Sequence, residues 1–395
     1  MIRHFSFGLF VFALVSISWI ARAASDDLAN LRQMYDGTML PKVEVATFSN
    51  SDKLQPVRVV HRGKSSLPLP KRAKPFPAIH FDNQGHHYDL YDYLAHNRVA
   101  GILVLKNGEI AFEDYELGIG PETHWLSMSL AKSISSTLAG AALADGSISS
   151  LDDLVVRYVP ALKGSAYDGV TVRQILTMSS GVRWDETYTD PKSDRRKILE
   201  VQLAGKPGEL LRYMGSLPRA APPGSVWNYS TGETFVLGAI IEGATHRHLP
   251  EYLSEKIWSP AGMENDATWW VDGPDGLAWA GSGIGATLRD YGRFALIAAN
   301  EGRLNGRSIV PGGWFGDAGA AHTIGGKTVS YGYMWWVASP EAFAGVGIFG
   351  QLMYINPKEH LAIVVLSARP KPEDTALDES ADDVAFVTAV TKALH

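Results

Sequence analysis

The chain has 395 residues, of which 46% are hydrophobic and 20% charged, so it has enough apolar side chains for a large core and for more than one domain or a large insertion. A formal net charge of -6 gives no reason to expect nucleic acid or an anionic membrane surface as a partner. There is no cysteine, which excludes disulfides, a thiol nucleophile and thiolate metal ligands.

Residues 1–24 have the pattern of a cleavable export signal. A polar, basic start is followed by an apolar run from Phe5 to Ile20, and Ala21-Arg22-Ala23 offers a small-x-small cleavage site. The run is short for a membrane anchor, and no charged stop-transfer flank follows it. We therefore expect cleavage after Ala23 or Ala24 and a periplasmic or secreted protein without stable membrane insertion.

After residue 24, successive stretches of the chain have sequence patterns typical of different secondary structures. Residues 25–85 contain many prolines and are predicted to be an extended, loop-like N-terminal extension. Val99–Leu105 and Ile110–Tyr115 are predicted strands joined at an Asn107-Gly108 turn, and Ser129–Ala144 is a predicted helix. Residues 151–265 show only helical and loop-like patterns.

The last part of the chain returns to strands. The patterns predict one helix, then three β-rich runs, then a closing helix, at Thr287–Ala299, Tyr331–Val337, Gly347–Ile355, Leu361–Leu366 and Ala381–Leu394. The predicted fold is α/β in the α+β sense, an antiparallel sheet flanked by helices. Residues 86–150 and 266–395 form that sheet domain, and 151–265 form an all-helical insertion domain with a cleft between the two.

Ser129-Leu130-Ala131-Lys132 is the first candidate for chemistry. If these residues open a helix, the hydroxyl and the amine lie on one face within hydrogen-bonding reach. A serine nucleophile needs a group that removes its proton, and a lysine can do so only if burial or a nearby cation lowers its pKa. Ser129 is therefore a candidate nucleophile and Lys132 a candidate base.

Tyr229 is the second candidate, placed between a Pro222-Pro223-Gly224 turn and a predicted helix. A tyrosine beside an ammonium group can act as a base or pass a proton to a leaving group. A core tyrosine with a satisfied hydroxyl is the alternative, and the local sequence alone leaves both open.

Together these residues resemble the serine β-lactamase and penicillin-binding-protein superfamily. The closer resemblance is to its class C β-lactamase-like branch of esterases, DD-peptidases and 6-aminohexanoate-dimer hydrolases. The matching stretches are Ser129 to Lys132, Tyr229-Ser230-Thr231 with threonine in place of the usual asparagine, Leu176 to Gly181, Pro223-Gly224, and Gly350-Gln351 with Tyr354 to Pro357. The resemblance implies a β-lactamase-like fold and an acyl-enzyme on Ser129, with Lys132 and Tyr229 handling the proton and no cofactor.

The third motif of the superfamily departs here. Gly345-Val346-Gly347-Ile348 stands where relatives have Lys-Thr-Gly, and Lys327-Thr328-Val329 is one strand too early. The missing cation would face a substrate carboxylate, so its absence favours esters or amides without one.

The resemblance also implies roles for residues around the nucleophile. The backbone amides of Ser129 and of Ile348, the latter on an edge strand, would stabilise the oxyanion. Gly345 and Gly347 would let that strand approach the substrate, and Thr231 would contact it. Tyr188 either closes over the substrate or is a solvent-facing loop aromatic.

The predicted function is an exported serine hydrolase acting on small-molecule esters or amides. The alternatives are a β-lactamase or DD-peptidase acting on peptidoglycan-like substrates, and a non-catalytic binding protein on the same fold. The histidines at 86–87 and 246–248 predict no metal site, and the glycines of 281–286 predict no nucleotide site. The mixed charges of Lys192 to Lys197 predict a solvated face. The sequence leaves the oligomeric state open.

Overall fold

The computed structural model describes residues 29–273, 275–372 and 379–395. The predicted export signal at residues 1–24 lies outside these ranges. Within them, no helix combines the length and the apolar character that crossing a bilayer requires.

The described residues form short strands, most of them antiparallel neighbours. They are β1 Val57–Val60, β2 His80–Asn83, β3 His86–Asp89, β4 Val99–Lys106, β5 Glu109–Tyr115, β6 His124–Leu126, β7 Ala267–Trp270, β8 Ile284–Thr287, β9 Arg303–Leu304, β10 Arg307–Ser308, β11 His322–Ile324, β12 Lys327–Val329, β13 Trp336–Ser339, β14 Ala342–Val346, β15 Leu352–Asn356 and β16 Leu361–Ser367.

The α-helices of the described residues alternate with these strands. They are α1 Leu31–Asp36, α2 Pro41–Ser49, α3 Leu90–His96, α4 Leu130–Ala144, α5 Val155–Tyr158, α6 Val172–Leu176, α7 Asp194–Ala204, α8 Glu209–Ser216, α9 Thr231–Thr245, α10 Leu249–Leu253, α11 Leu288–Ala299, α12 Trp314–Ala318 and α13 Glu379–Leu394.

A six-stranded sheet in the order β13-β14-β15-β16-β4-β5 forms the centre, and every neighbouring pair is antiparallel. The β4–β5 hairpin closes at Asn107 and Gly108, whose φ angles of 56° and 79° are those of a type I′ turn. Helices α4 and α11 pack on one face, and α3 and α13 pack on the other. The predicted antiparallel sheet flanked by helices is confirmed.

The N-terminal extension is more ordered than its prolines predict. Residues 29–89 form α1, α2 and strands β1 to β3, and β1 pairs with β7 in a second sheet of order β1-β7-β8-β6. The apolar residues of this segment pack against the main core, with Phe48 and Val60 fully buried. Proline spacing breaks long elements but does not prevent short ones from docking on an existing core.

The elements described between 151 and 265 are helices, with only isolated bridges among the loops. The predicted solvated face at 192–197 holds for the exposed Lys192 and Lys197 and is wrong for the residues between them, because Asp194 is 0% and Arg195 1% exposed. The buried charged side chains form ion pairs. Asp194 pairs with Arg183 at 2.8 Å, and Arg196 pairs with Asp36 at 2.7 Å. Those partners are distant in sequence, so the local charge pattern could not show them.

Two sheet boundaries also differ from the prediction. β13 begins at Trp336, near the end of the run predicted as a strand, and β14 at Ala342–Val346 was not predicted. The run predicted to be a strand from Gly347 onward begins as a turn, with Gly350 at φ 85°, and β15 starts at Leu352. Continuous apolar residues conceal a turn whose only local signal is its glycines.

Candidate active site

A cleft of about 750 Å³ opens beside the end of the main sheet that β13 and β14 form. Its lining combines residues from distant parts of the chain: Ser129 before α4, Glu186 and Tyr188 from one loop, Tyr229 before α9, and Ile348 after β14. Most of the other lining residues are apolar. The fold thus brings Ser129, Tyr229, Ile348 and Tyr188 of the predicted set to one concave surface.

Ser129 stands immediately before α4, after Met128 with a φ of 44°. One helical turn on, the Lys132 Nζ donates a hydrogen bond to the Ser129 Oγ at 2.8 Å and another to the Gly281 carbonyl at 3.2 Å. The three-residue spacing gives the predicted juxtaposition. Gly281 belongs to the glycine-rich stretch that suggested no function in the sequence, and its carbonyl holds the lysine toward the serine.

Burial gives Lys132 the property that a base requires. The side chain is 1% exposed, and desolvation lowers its pKa to about 7. Within this shift the Glu186 carboxylate acts to raise the pKa of Lys132, and the Arg195 charge acts to lower it. Near neutral pH a substantial fraction of Lys132 is therefore an uncharged amine that can accept the serine proton.

Tyr229 lies beside the same pair, with its ring centroid 5.1 Å from the Lys132 Nζ and stacked on Trp336 at 5.6 Å. Burial, and after it the Glu186 charge, raise the pKa of the Tyr229 phenol well above its usual value, although a hydrogen bond with Ser129 opposes the shift. The phenol therefore stays protonated, which suits a proton relay and leaves Lys132 as the stronger candidate base.

Two residues that line the cleft have backbone amides without a protein acceptor in the described part of the chain. Among the described residues, neither the Ser129 N–H nor the Ile348 N–H donates to a protein acceptor, and both residues line the cleft. Ile348 lies in the 347–350 turn rather than on an edge strand as predicted. The turn is closed by a 2.7 Å bond from the Gly347 N–H to the Gln351 carbonyl.

The two glycines of this region have a structural reason other than the predicted one. A Cβ on Gly345 would lie 2.9 Å from the Ser133 Oγ, and one on Gly347 would lie 2.9 Å from the Ser127 carbonyl oxygen. Of the residues that line the cleft, Gly347 is one and Gly345 is not. Their small size therefore lets β14 and its turn approach α4 and the chain before it.

Thr231 is not among the residues that line the cleft. Its hydroxyl donates to Glu186 Oε1 at 2.5 Å, its N–H donates to Glu186 Oε2 at 2.8 Å, and it is 2% exposed. Glu186, which also accepts from the Trp184 indole, lines the cleft beside Tyr229. No sequence motif identifies Glu186 as a functional residue. The one feature of the sequence that points to it is its position two residues before Tyr188.

Tyr188 is half-buried and lines the cleft. Its ring stacks on Tyr35 at 6.2 Å, and its carbonyl accepts from Arg196 at 3.2 Å. The loop that carries it is thus held at the cleft wall, and its role toward substrate stays a prediction. Elsewhere in the described ranges, no group of three or more histidine or acidic side chains is arranged to hold a metal ion.

An antiparallel sheet with a Ser-x-x-Lys pair at the start of its buried helix defines the class of β-lactamase-fold serine hydrolases. The model of the Beta-lactamase family matches residues 92–386, and the chain belongs to that family. The protein is therefore a serine hydrolase of this superfamily.

Individual relatives are similar to different extents. A 6-aminohexanoate-dimer hydrolase of Paenarthrobacter ureafaciens is 32% identical over 302 residues, covering 72% of this chain and 76% of the relative. A putative D-alanyl-D-alanine carboxypeptidase of Escherichia coli is 22% identical over 280 residues, covering 55% of this chain and 63% of the relative.

Solved structures show the same fold. A putative 6-aminohexanoate-dimer hydrolase from Bacillus anthracis has a TM-score of 0.78 at 24% identity, covering 89% of this chain and 94% of that one. EstCE1, a hydrolase with promiscuous acyltransferase activity, has a TM-score of 0.60 at 15% identity, covering 75% and 96%. The predicted β-lactamase-like fold is confirmed.

Proposed function

We propose that the protein is an exported serine hydrolase that cleaves small, uncharged esters or amides through an acyl-enzyme on Ser129. The observation that supports it most directly is the 2.8 Å contact between the Lys132 Nζ and the Ser129 Oγ, made by a lysine whose pKa burial lowers to about 7. A binding protein has no need of a buried amine held against a hydroxyl.

The proposed reaction uses these groups in turn. The Ser129 Oγ attacks the substrate carbonyl carbon while Lys132 accepts its proton, and the amides of Ser129 and Ile348 donate to the oxygen that becomes negative. The Tyr229 phenol gives its proton to the departing alcohol or amine and regains one from Lys132. A water molecule then attacks the acyl carbon, its proton returns through the same groups, and the acid leaves.

The substrate class follows from the lining of the cleft. β14 and its turn carry no lysine or arginine, and the one lining arginine among the described residues, Arg369, donates to Asp383 at 2.7 Å. An apolar cleft without an unneutralised cation favours neutral acyl and leaving groups. The relative named for an amide dimer supports including amides.

Export rests on residues 1–24. Sequencing the N-terminus of protein recovered from a periplasmic or secreted fraction tests it, and we expect the mature chain to begin at Ala24 or Ser25. A chain that retains Met1 in the membrane or the cytoplasm contradicts export and leaves the hydrolase assignment intact.

Replacing the nucleophile tests the reaction. Turnover of p-nitrophenyl acetate and butyrate, a linear amide and nitrocefin is compared for the parent protein and Ser129→Ala, with fluorophosphonate labelling alongside. We expect ester turnover that falls by at least about 10³-fold in Ser129→Ala, with loss of the label. Ser136→Ala is the matched control, because Ser136 lies on the same helix with a buried hydroxyl that has no partner among the described residues.

A peptidoglycan-directed activity is the second candidate, favoured by the relatives named as carboxypeptidases. A fluorescent penicillin that labels Ser129 and nitrocefin turnover faster than ester turnover would support it. If neither penicillin nor fluorophosphonate labels Ser129, and no substrate is turned over, the non-catalytic binding protein is the better description.

A further inference from the structure

The first described segment of the chain precedes the family match at residues 92–386 yet contacts both regions that flank the cleft. Arg32 on α1 pairs with Glu200 of α7 at 2.6 Å. Glu44 on α2, fully buried, pairs with Arg98 beside the main sheet at 2.6 Å. Helices α1 and α2 therefore join the helical region to the sheet.

Tyr35, on α1, lies directly behind the Tyr188 wall of the cleft. The two rings stack with centroids 6.2 Å apart and an interplanar angle of 26°. The Tyr35 hydroxyl accepts a hydrogen bond from Arg195, whose guanidinium also lies 4.3 Å over the Tyr35 ring. Tyr35 is 2% exposed, so its ring is held in place by Arg195 and the surrounding core and limits where Tyr188 can move.

A second contact holds the same loop through its backbone. The neighbour of Tyr35, Asp36, pairs with Arg196 at 2.7 Å, and Arg196 donates to the Tyr188 carbonyl at 3.2 Å. The guanidinium thus ties α1 to the main chain of the residue that lines the cleft. Ring stacking and this ion pair act on the same loop from different directions.

Phe48, on α2, lies behind the other wall. Its ring is 5.0 Å from that of Phe349, the residue after Ile348, and 5.6 Å from that of Trp125, in the strand that leads to Ser129. All three side chains are fully buried. Phe48 therefore supports the turn and the strand that present the two amides assigned to the oxyanion.

We propose that residues 31–49 act as a brace across the two walls of the cleft, with Tyr35 as a positioning residue for Tyr188 and Phe48 as one for the Ile348 turn. The proposal rests on the proposed function for its assays, since it assigns effects on substrate binding and on turnover. It predicts separate kinetic consequences for the two ends of the brace, whereas a merely structural segment would affect both alike.

A double-mutant cycle tests the Tyr35 end. Tyr35→Ala and Tyr188→Ala are each expected to raise KM by roughly tenfold, and the double variant to raise it little further, because residues in contact couple. Tyr35→Phe keeps the stacked ring and should restore most of the binding. Tyr91→Ala is the matched control, since Tyr91 is 74% exposed on α3. Additive effects of Tyr35 and Tyr188 would overturn this half.

Asp36→Asn keeps the test open should Tyr35→Ala fail to fold, because the Asp36 side chain is 43% exposed and asparagine has the same shape. We expect KM to rise a few-fold. High salt should not raise it further, since the ion pair is already lost. An unchanged KM in Asp36→Asn, with Tyr188→Ala impaired, contradicts the proposal.

Phe48→Leu tests the other end. It should lower kcat and the rate of fluorophosphonate labelling of Ser129 by roughly tenfold with little change in KM, because the oxyanion is formed only after binding. Val390→Ala, a core truncation on the opposite face of the sheet at a residue that does not line the cleft, controls for lost stability. Equal loss in Phe48→Leu and Val390→Ala overturns this half. Full activity in Ser129→Ala would instead refute the proposed function, and that result does not depend on the Phe48→Leu test.

Discussion

At the scale of single residues, the chemistry depends on an amine placed where a charge is costly. Lys132 must be neutral to accept the serine proton, and burial lowers its pKa to about 7. We therefore expect kcat/KM for a neutral ester to rise through an apparent pKa near 7 and then level off, as measured by a pH–rate profile. Lys132→Arg, whose guanidinium does not deprotonate, should lose activity at every pH.

The same pKa shift has a consequence for stability. A lysine exposed to water, as in the unfolded chain, has a pKa of 10.5, and folding lowers the pKa of Lys132 to about 7, so the unfolded state binds more protons between these values. The burial penalty is complete below pH 7 and fades as the pH rises toward 10.5. Lys132→Met should therefore raise Tm most at pH 6 and less at pH 9.5 in thermal unfolding. A Tm difference that grows with pH contradicts this reasoning.

Glu186 adjusts the same base from the cleft side. Its carboxylate raises the pKa of Lys132, so Glu186→Gln should move the pH–rate profile to lower pH while the amide oxygen keeps the hydrogen bond from the Thr231 N–H. Asp185→Asn, one residue earlier with its carboxylate bonded to the Thr187 N–H, is the control and should leave the profile in place. A shift to higher pH in Glu186→Gln would contradict the electrostatic argument.

The site could be predicted only as far as its residues are close in sequence or carry a motif. Ser129 and Lys132 are one helical turn apart, so their contact at 2.8 Å follows from helix geometry. Glu186 and Thr231 are 45 positions apart in the chain, and no spacing rule joins a loop carboxylate to a threonine after Tyr229. The sequence therefore predicts a substrate contact for Thr231, whereas in the structure its hydroxyl donates to Glu186.

At the scale of elements, two close packings position the nucleophile. β14 can approach α4 because residue 345 has no side chain, and a Cβ there would lie 2.9 Å from the Ser133 Oγ. Gly345→Ala should destabilise the fold by about 1–3 kcal/mol through overpacking and lower ester turnover with it. Gly120→Ala is the matched control, because nothing lies within 4 Å of its Cβ position. Denaturant unfolding and turnover of both variants measure the difference, and equal stability would contradict the packing argument.

The elements that the sequence predicted well have local signals. The β4–β5 hairpin follows from Asn107-Gly108, and α4 from its alanine-rich run, which begins at Leu130. β14 was missed because it is a short strand, Ala342–Val346, between a proline and a glycine-rich turn. Its existence depends on pairing with β15, where Gly345 lies opposite Met353, and such pairing is a property of the tertiary structure.

At the scale of the whole molecule, the sequence indicated the sheet and the helical region in between, but not how the N-terminal segment joins them. The ion pairs Glu44–Arg98 and Asp36–Arg196, each with one buried partner, link residues 54 and 160 positions apart. Taken alone, each of these four residues is a charged residue of a type that usually lies at the surface. Their burial depends on the finished core, so a pattern of prolines and charges indicated only an extension.

The charges around the whole cleft predict which substrates it accepts. Of the described lining residues, Arg369 bonds to Asp383 at 2.7 Å and to Asn97 at 2.6 Å, whereas Glu186 has no cation paired with it. A p-nitrophenyl butyrate should therefore be cleaved roughly 10- to 100-fold faster, in kcat/KM, than the succinate monoester of similar shape, whose carboxylate finds no charge-assisted partner. Glu186→Gln should bring the kcat/KM values of the two esters closer together. Nitrocefin, which is also an anion, should be cleaved about as slowly as the succinate ester. Equal rates for the two esters would show that a cation serves the cleft after all, and would favour the peptidoglycan-directed activity.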